Sequence, residues 1–193
     1  MSELLRLATG KTARHTLISV VGTVSYGVLI LTFIIVATNY LSPEQFGIFS
    51  IALTFYNLVP DLFSLGTSQA IVRFVSVYIG TNQPEKGFRF AQLIFLTRLT
   101  AAGFIIIGSI LLSPLIAQKI YHQPLLAMPL LLAILFAASS LLVDFYQNLL
   151  RAYERFTTTA ILAVIAGSLK LIALGSLIFF HQVSLLTICL AFF

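Results

Sequence analysis

Long apolar runs separated by short polar segments dominate this chain of 193 residues. A run of about 20 apolar residues is long enough to cross a bilayer as a helix. Five runs reach this length: Thr16–Leu41, Glu44–Tyr78, Gly87–Gln118, Pro124–Leu150 and Thr157–Phe180. A sixth run begins near Val183 and continues to Phe193. The pattern predicts an all-α fold, a polytopic transmembrane helical bundle of five spans and the start of a sixth.

The first, second and last apolar runs each have a feature that leads to a further prediction. The first run is too long for a signal peptide and lacks a small-residue cleavage site, so we expect a true span. The second run exceeds the length of one straight span. We predict that its helix breaks or tilts near Pro60, which lacks a backbone donor, and continues toward the interface around Arg73. Since the last run stops at Phe193, we expect either a fragment or a half-unit that needs a second copy.

Composition supports the membrane assignment. Hydrophobic residues make up 59% of the chain and charged residues 9%, with a mean hydropathy of +1.04. A soluble domain typically carries about 25% charged residues. The net charge of +5 does not indicate nucleic-acid binding, because the basic residues cluster between the apolar runs. The single cysteine, Cys189, excludes an intrachain disulfide.

The basic residues also predict the orientation. Only Lys119 falls in the loops on one side of the predicted membrane, whereas eight basic residues fall on the other side. These eight are Arg6, Lys11, Arg14, Arg73, Lys86, Arg89, Arg151 and Arg155. Because Lys and Arg are enriched in cytoplasmic loops, we expect a cytoplasmic arm over residues 1–15. Arg73, Arg151 and Arg155 are then expected to be cytoplasmic anchors.

Four charged residues lie inside the predicted spans: Asp61, Arg98, Asp144 and Lys170. A charge at the bilayer centre costs about 2.5–3.5 kcal/mol on insertion scales, so it usually faces a partner or a water-filled cavity. Each of the four shares a helical face with small or polar residues, and such faces pack against other helices. We therefore expect all four charges to point into the bundle, with Arg98 and Lys170 near mid-membrane.

The second span has the clearest polar face. Seven residues recur at alternating steps of three and four, which places them on one side of a helix: Gly47, Ser50, Thr54, Asn57, Asp61, Ser64 and Ser68. Small residues on such a face allow close helix packing. Packing does not require Asn57 or Asp61, however, so we predict a cavity wall or a polar network. Tyr56 lies nearby and either packs within the bundle or faces the cavity.

Two interpretations of the four charges remain open. In the first, they form structural ion pairs, for instance Asp61 with Arg98, because an unpaired buried charge is costly. In the second, Arg98 and Lys170 attract an anionic substrate. Asp61 or Asp144 would then bind a proton or a sodium ion that drives transport.

The sequence contains no recognisable enzyme motif. His15, His122 and His181 are scattered near span ends, and no Gly-rich phosphate loop or nucleophile elbow is present. The short loops leave no room for a soluble catalytic domain. We expect a non-enzymatic protein without a metal or an organic cofactor, although coupling to H⁺ or Na⁺ is compatible with the acidic residues.

Three segments at span boundaries resemble one family of transporters. Tyr40–Phe49 is similar to its "L-G-P-E-E-Y-G-L-Y" turn, and Leu65–Phe74 to its "L-G-L-x-x-A-L-V-R-F" segment. Leu150–Phe156 resembles its "R-A-x-x-R-F" loop. The family is the polysaccharide transporters, which include the O-antigen flippases. It belongs to the superfamily that also contains the multidrug and toxin extruders.

The resemblance implies a mechanism and a location. It implies half of a two-lobe transporter fold, here the N-terminal lobe over residues 1–193, in the cytoplasmic (inner) membrane. The cargo would be a lipid-linked oligosaccharide moved by alternating access, in lipopolysaccharide or other surface polysaccharide biosynthesis. Arg98 and Lys170, with Asn57, would line the substrate cavity and hold the anionic pyrophosphate-sugar headgroup. A C-terminal lobe or a second copy would complete the cavity, and membrane lipids would surround it.

Other functions stay open at this point. A cation-coupled multidrug exporter of the same superfamily is the nearest alternative, although such cavities tend to be acidic or apolar. An integral-membrane enzyme of glycan assembly would need a large external loop or an intramembrane His/Asp group. A non-catalytic assembly subunit would fit a short chain.

Overall fold

The computed structural model describes residues 11–193, and it describes side-chain surroundings from Leu17 onward. Residues 1–10 of the predicted cytoplasmic arm lie outside the described residues. Residues 11–15 of that arm belong to the first helix. The described part contains helices and no strands, which confirms the predicted all-α fold.

The helices follow one another with short connections. In chain order they are α1 (Lys11–Thr38), α2 (Pro43–Ser64), α3 (Thr67–Ala70), α4 (Ser76–Gly80), α5 (Pro84–Leu115), α6 (Ala127–Ala152), α7 (Phe156–Phe179) and α8 (Leu185–Phe192). A π-helical segment, Ile71–Val75, joins α3 to α4, and a second one, Ile116–Ile120, extends α5. A short 3₁₀ helix, Pro124–Leu126, leads into α6. Helices α1, α2, α5, α6 and α7 are long and apolar enough to cross a membrane, so the chain is a multi-pass membrane protein.

The second predicted span is interrupted at Leu65 and Gly66, whereas the break was expected near Pro60. Helix α2 begins with a capping box in which Ser42 accepts from the backbone N–H of Gln45 at 3.3 Å and donates its own N–H to the Gln45 side chain at 3.1 Å. The helix then continues through Pro60, because losing one backbone donor does not end it. It ends where Leu65 and Gly66 take left-handed backbone angles, with φ of 47° and 73°. Glycine adopts this conformation without the steric cost that a side chain adds.

Helix α6 is the centre of the bundle. In the apolar stretch of α6, 44% of the residues are buried, against 11–22% of the residues in the other four spans. Leu130 and Leu141 of α6 pack with Ile48 of α2 and Ile105 of α5 in one core cluster. Helix α8 completes a second cluster, in which Phe192 packs against Phe33 of α1. The fold thus brings α2, α5 and α6 together and places the end of the chain against α1.

Helices α1 and α7 form a close pair through small residues. A Cβ atom added at Gly22 would lie 2.6 Å from the Cβ of Ala160 and 3.0 Å from its Cα. A Cβ added at Gly167 would lie 2.9 Å from the side chain of Leu29. These approaches agree with the expectation that the small-residue face of α7 packs against another helix.

Replacing Gly22 by Ala is therefore expected to destabilise the protein, because the new methyl group would overlap the backbone of α7. Overpacking of this kind typically costs about 1–3 kcal/mol. The measurement is thermal unfolding of the purified chain in detergent. Gly27→Ala is the matched control on the same helix, since no atom lies within 4 Å of its added Cβ. Equal melting temperatures for the two variants would contradict the close approach.

Candidate functional site

A polar cavity of about 300 Å³ lies between α1, α2, α3 and α6. Its lining includes two tyrosines, three serines and two acids: Tyr26, Tyr56, Asn57, Pro60, Asp61, Ser64, Ser68, Ser140, Leu141 and Asp144. Four members of the predicted polar stripe are among them, and Ser68 belongs to this cavity even though it lies beyond the end of α2. The stripe residues Thr54, Asn57 and Asp61 are exposed, whereas Ile48 and Ala52 on the same helix are buried. The stripe therefore faces away from the apolar core.

Arg98 lies beside this cavity and is 1% exposed. Its guanidinium donates to the Asp144 carboxylate at 2.9 Å and to the backbone oxygen of Leu141 at 3.0 Å. It also donates to the hydroxyl of Ser68 at 2.7 Å and twice to the hydroxyl of Thr67, at 3.1 and 3.0 Å. An arginine has five N–H donors, so every one of them has a protein acceptor.

This network joins three helices. Ser68 donates its own hydroxyl to the same Asp144 oxygen at 2.7 Å. Arg98 belongs to α5, Asp144 and Leu141 belong to α6, and Thr67 and Ser68 begin α3. The break before α3 makes this possible, because it turns the two hydroxyls toward the guanidinium. We call these five residues the Arg98 network.

The network changes one expectation and leaves another open. The partner of Arg98 is Asp144, whereas the pairing given as an example from sequence was Asp61 with Arg98. Thr67 was not recognised from sequence, although it stands in the Leu65–Phe74 motif. The expected contact of Arg98 with an anionic cargo stays a prediction, and it requires that at least one of the present bonds be broken.

Lys170 lies on α7 and is half-buried. Its ammonium nitrogen is 4.3 Å from the centre of the Phe192 ring and 5.7 Å from the centre of the Tyr56 ring. Among the described residues no oxygen accepts a hydrogen bond from Lys170, and no carboxylate pairs with it. Tyr56 also lines the polar cavity, whereas Lys170 does not, so the Tyr56 ring connects the cavity lining to this cation.

Asp61 and Asn57 lie one turn apart on α2 and both line the cavity. The Asn57 side chain donates to the backbone oxygen of Leu53 at 2.9 Å. The Asp61 carboxylate accepts no hydrogen bond and forms no ion pair within residues 17–193. The cavity thus contains one carboxylate held by the Arg98 network and another that faces open space.

Two of the three predicted anchors lie together. Arg73 and Arg151 are exposed and line one cleft of about 500 Å³ with Ser68, Gln69, Val72, Asp144 and Asn148. Arg155 is also exposed but does not line this cleft. In the described part of the chain, no group of three or more His, Cys, Asp or Glu side chains has the geometry of a metal site.

Comparison with known proteins gives a family but no individual relative. Neither the curated proteins nor the solved structures contain a match to this chain. A family model described as polysaccharide biosynthesis protein matches residues 13–193. This match covers nearly the whole chain and agrees with the resemblance of Tyr40–Phe49, Leu65–Phe74 and Leu150–Phe156. The chain belongs to the polysaccharide biosynthesis protein family and takes part in the biosynthesis of a polysaccharide.

Proposed function

We propose that this chain is the N-terminal lobe of a flippase that moves a lipid-linked oligosaccharide or polysaccharide precursor across the cytoplasmic membrane by alternating access. The product would be a surface polysaccharide such as O-antigen. Transport of this kind makes and breaks no covalent bond, so the proposal gives the chain no enzymatic role and no cofactor beyond a coupling H⁺ or Na⁺. The observation that carries the proposal is a half-buried cation, Lys170, that contacts a ring of the polar cavity, Tyr56, in a member of this family.

The energetics of Lys170 favour an anionic cargo. Cation–π contacts contribute about 0.5–2 kcal/mol. Placing a lysine in the middle of a membrane costs about 2.5–3.5 kcal/mol on insertion scales. At the lower end of the cation–π range the rings of Phe192 and Tyr56 offset only part of the cost, and a phosphate group beside Lys170 would offset the rest. The same cation would repel a positively charged drug, which disfavours a multidrug exporter.

The surroundings of the cavity support a two-lobe arrangement. The polar residues Thr54, Asn57 and Asp61 of α2 are exposed, and a polar helical face opposite lipid would be costly. A C-terminal lobe or a second copy facing this side would enclose the cavity. In this arrangement the N-terminus and the loops with Arg73, Arg151 and Arg155 lie in the cytoplasm, in keeping with the distribution of basic residues.

Replacing Lys170 by Ala is expected to reduce the amount of surface polysaccharide by about tenfold, because one charge-assisted contact with the phosphate is lost. The variant is introduced into the gene in its native host, and surface polysaccharide and membrane levels of the protein are measured together. Lys119→Ala is the matched control, since Lys119 is exposed and lies outside the cavity. Lys170→Arg keeps the charge and should retain most export.

Two results would contradict the proposal. Normal surface polysaccharide in Lys170→Ala would show that this cation does not contact the cargo. Normal polysaccharide combined with increased sensitivity to cationic drugs would favour the multidrug exporter instead.

A further inference from the structure

The cleft lined by Arg73 and Arg151 has more basic than acidic side chains. Its only acidic residue is Asp144, and that carboxylate is already paired with Arg98 at 2.9 Å. Neither Arg73 nor Arg151 forms an ion pair with any residue that the structure describes. Asn148 and Gln69 add side-chain amides, which donate hydrogen bonds as well as accept them.

Most donors of the two arginines point to no protein acceptor. Arg151 makes one long bond, 3.4 Å, to the amide oxygen of Asn148. Arg73 lies 5.9 Å from the centre of the neighbouring Phe74 ring and donates no hydrogen bond to any residue that the structure describes. This is the opposite of Arg98, whose five donors are all used. Two guanidinium groups with unused donors that line one cleft suit a phosphate group, which accepts paired hydrogen bonds from arginine.

The cleft and the cavity share two residues. Ser68 and Asp144 line both of them, and their hydrogen bond of 2.7 Å lies between the two spaces. Arg73 comes from the π-helical segment after α3, and Arg151 from the last turn of α6. A phosphate held by these arginines would therefore lie directly outside the Arg98 network, on the side away from Tyr26 and Tyr56.

We propose that Arg73 and Arg151 form a phosphate-binding site at the mouth of the cavity, separate from Lys170. This site receives the phosphate of a membrane-embedded lipid before the lipid passes the Arg98 network. The proposal rests on the proposed function, which supplies the direction in which the lipid moves through the protein. It gives two of the predicted anchors a binding role and leaves Arg155 as an anchor only. The ligand chemistry is a phosphate ester at the membrane surface, from either a polyprenyl diphosphate or an anionic phospholipid.

The test is direct binding to the full chain in nanodiscs of phosphatidylcholine. The first probe is geranylgeranyl diphosphate, and titration calorimetry measures its binding. Arg73→Gln and Arg151→Gln are each expected to weaken its binding about tenfold, and the double variant more than either, because each loses a charge-assisted contact. Arg155→Gln removes the same charge from the next loop and should bind as the wild type does. Circular dichroism and gel filtration check that each variant is folded.

A second arm distinguishes the two sources of phosphate. Nanodiscs containing phosphatidylglycerol are analysed by native mass spectrometry for lipid retained by the wild type and by the double variant. If only phosphatidylglycerol depends on Arg73 and Arg151, the site stands as a phospholipid site and the flippase proposal loses its support. If geranylgeranyl diphosphate binds equally well to the double variant, or if Arg155→Gln weakens it to the same extent, the site is wrong. The flippase proposal would survive that result if binding then depended on Lys170.

Discussion

Replacing Arg98 by Ala is expected to remove most of the protein from the membrane. The substitution leaves Asp144 without its cation and withdraws the donors that satisfy Thr67, Ser68 and the backbone oxygen of Leu141. Removing one partner of a buried ion pair typically costs about 3–5 kcal/mol, and the 41% exposure of the Asp144 side chain places the expected loss toward the lower end of that range. That is a large share of the total stability of about 5–15 kcal/mol found for folded proteins. Immunoblots of membranes and thermal unfolding in detergent measure the loss.

Two variants control this experiment. Arg89→Ala removes an exposed arginine from the same helix and should leave the protein level unchanged. The double variant Arg98→Met with Asp144→Leu removes both charges, and replacing a buried pair with apolar residues is often neutral or stabilising. We expect it to recover much of the lost stability. A wild-type level of Arg98→Ala together with lost export would instead show that Arg98 acts on the cargo, as the family resemblance implies.

The positions of the spans were predictable because they depend on local composition. The five long helices fall within a few residues of the predicted runs, apart from the second run. The capped start of α2 was also predictable, since Ser42 and Pro43 act on their own neighbours. The position of the break was not. Pro60 is the residue usually expected to interrupt a helix, but the chain turns at Leu65 and Gly66, where left-handed backbone angles end α2.

The inward position of Arg98 could be predicted, but not its partners, whereas Asp61 was also expected to point into the bundle and is exposed. Arg98 shares its face with Ala91 and Ala102, and all three are buried as expected. Its partner depends on which helices are neighbours, and helical periodicity along one chain does not contain that information. Lys170 shows the same limit, because Phe192 contacts it from the end of the chain. Asp144, not Asp61, pairs with Arg98 because α6 occupies the centre of the bundle and α3 turns back toward it.

Asp144 and Asp61 differ in whether a protein group binds their carboxylate, and this difference indicates different roles. Asp144 is held by Arg98 and Ser68, and its side chain is 41% exposed. Asp61 lines the cavity, and no residue from 17 to 193 donates a hydrogen bond to its carboxylate. Ionisable residues within membrane spans mark the paths of ions and protons. A carboxylate that faces a cavity is available to H⁺ or Na⁺ without first losing a protein partner, so Asp61 is the better candidate for ion coupling.

Replacing Asp61 by Asn is expected to reduce export to the level of cells that lack the protein, while its amount in the membrane stays unchanged. The amide has nearly the same shape, but it does not take up a proton at this position and is a weaker, neutral ligand for Na⁺. Surface polysaccharide in the native host measures export, and immunoblots measure the protein. Glu44→Gln is the matched control on the same helix, because Glu44 lies outside the cavity. Asp61→Glu keeps the carboxylate and should retain part of the export. Full export in Asp61→Asn, or an equal loss in Glu44→Gln, would exclude Asp61 as the coupling residue and leave Asp144 as the remaining acid of the cavity.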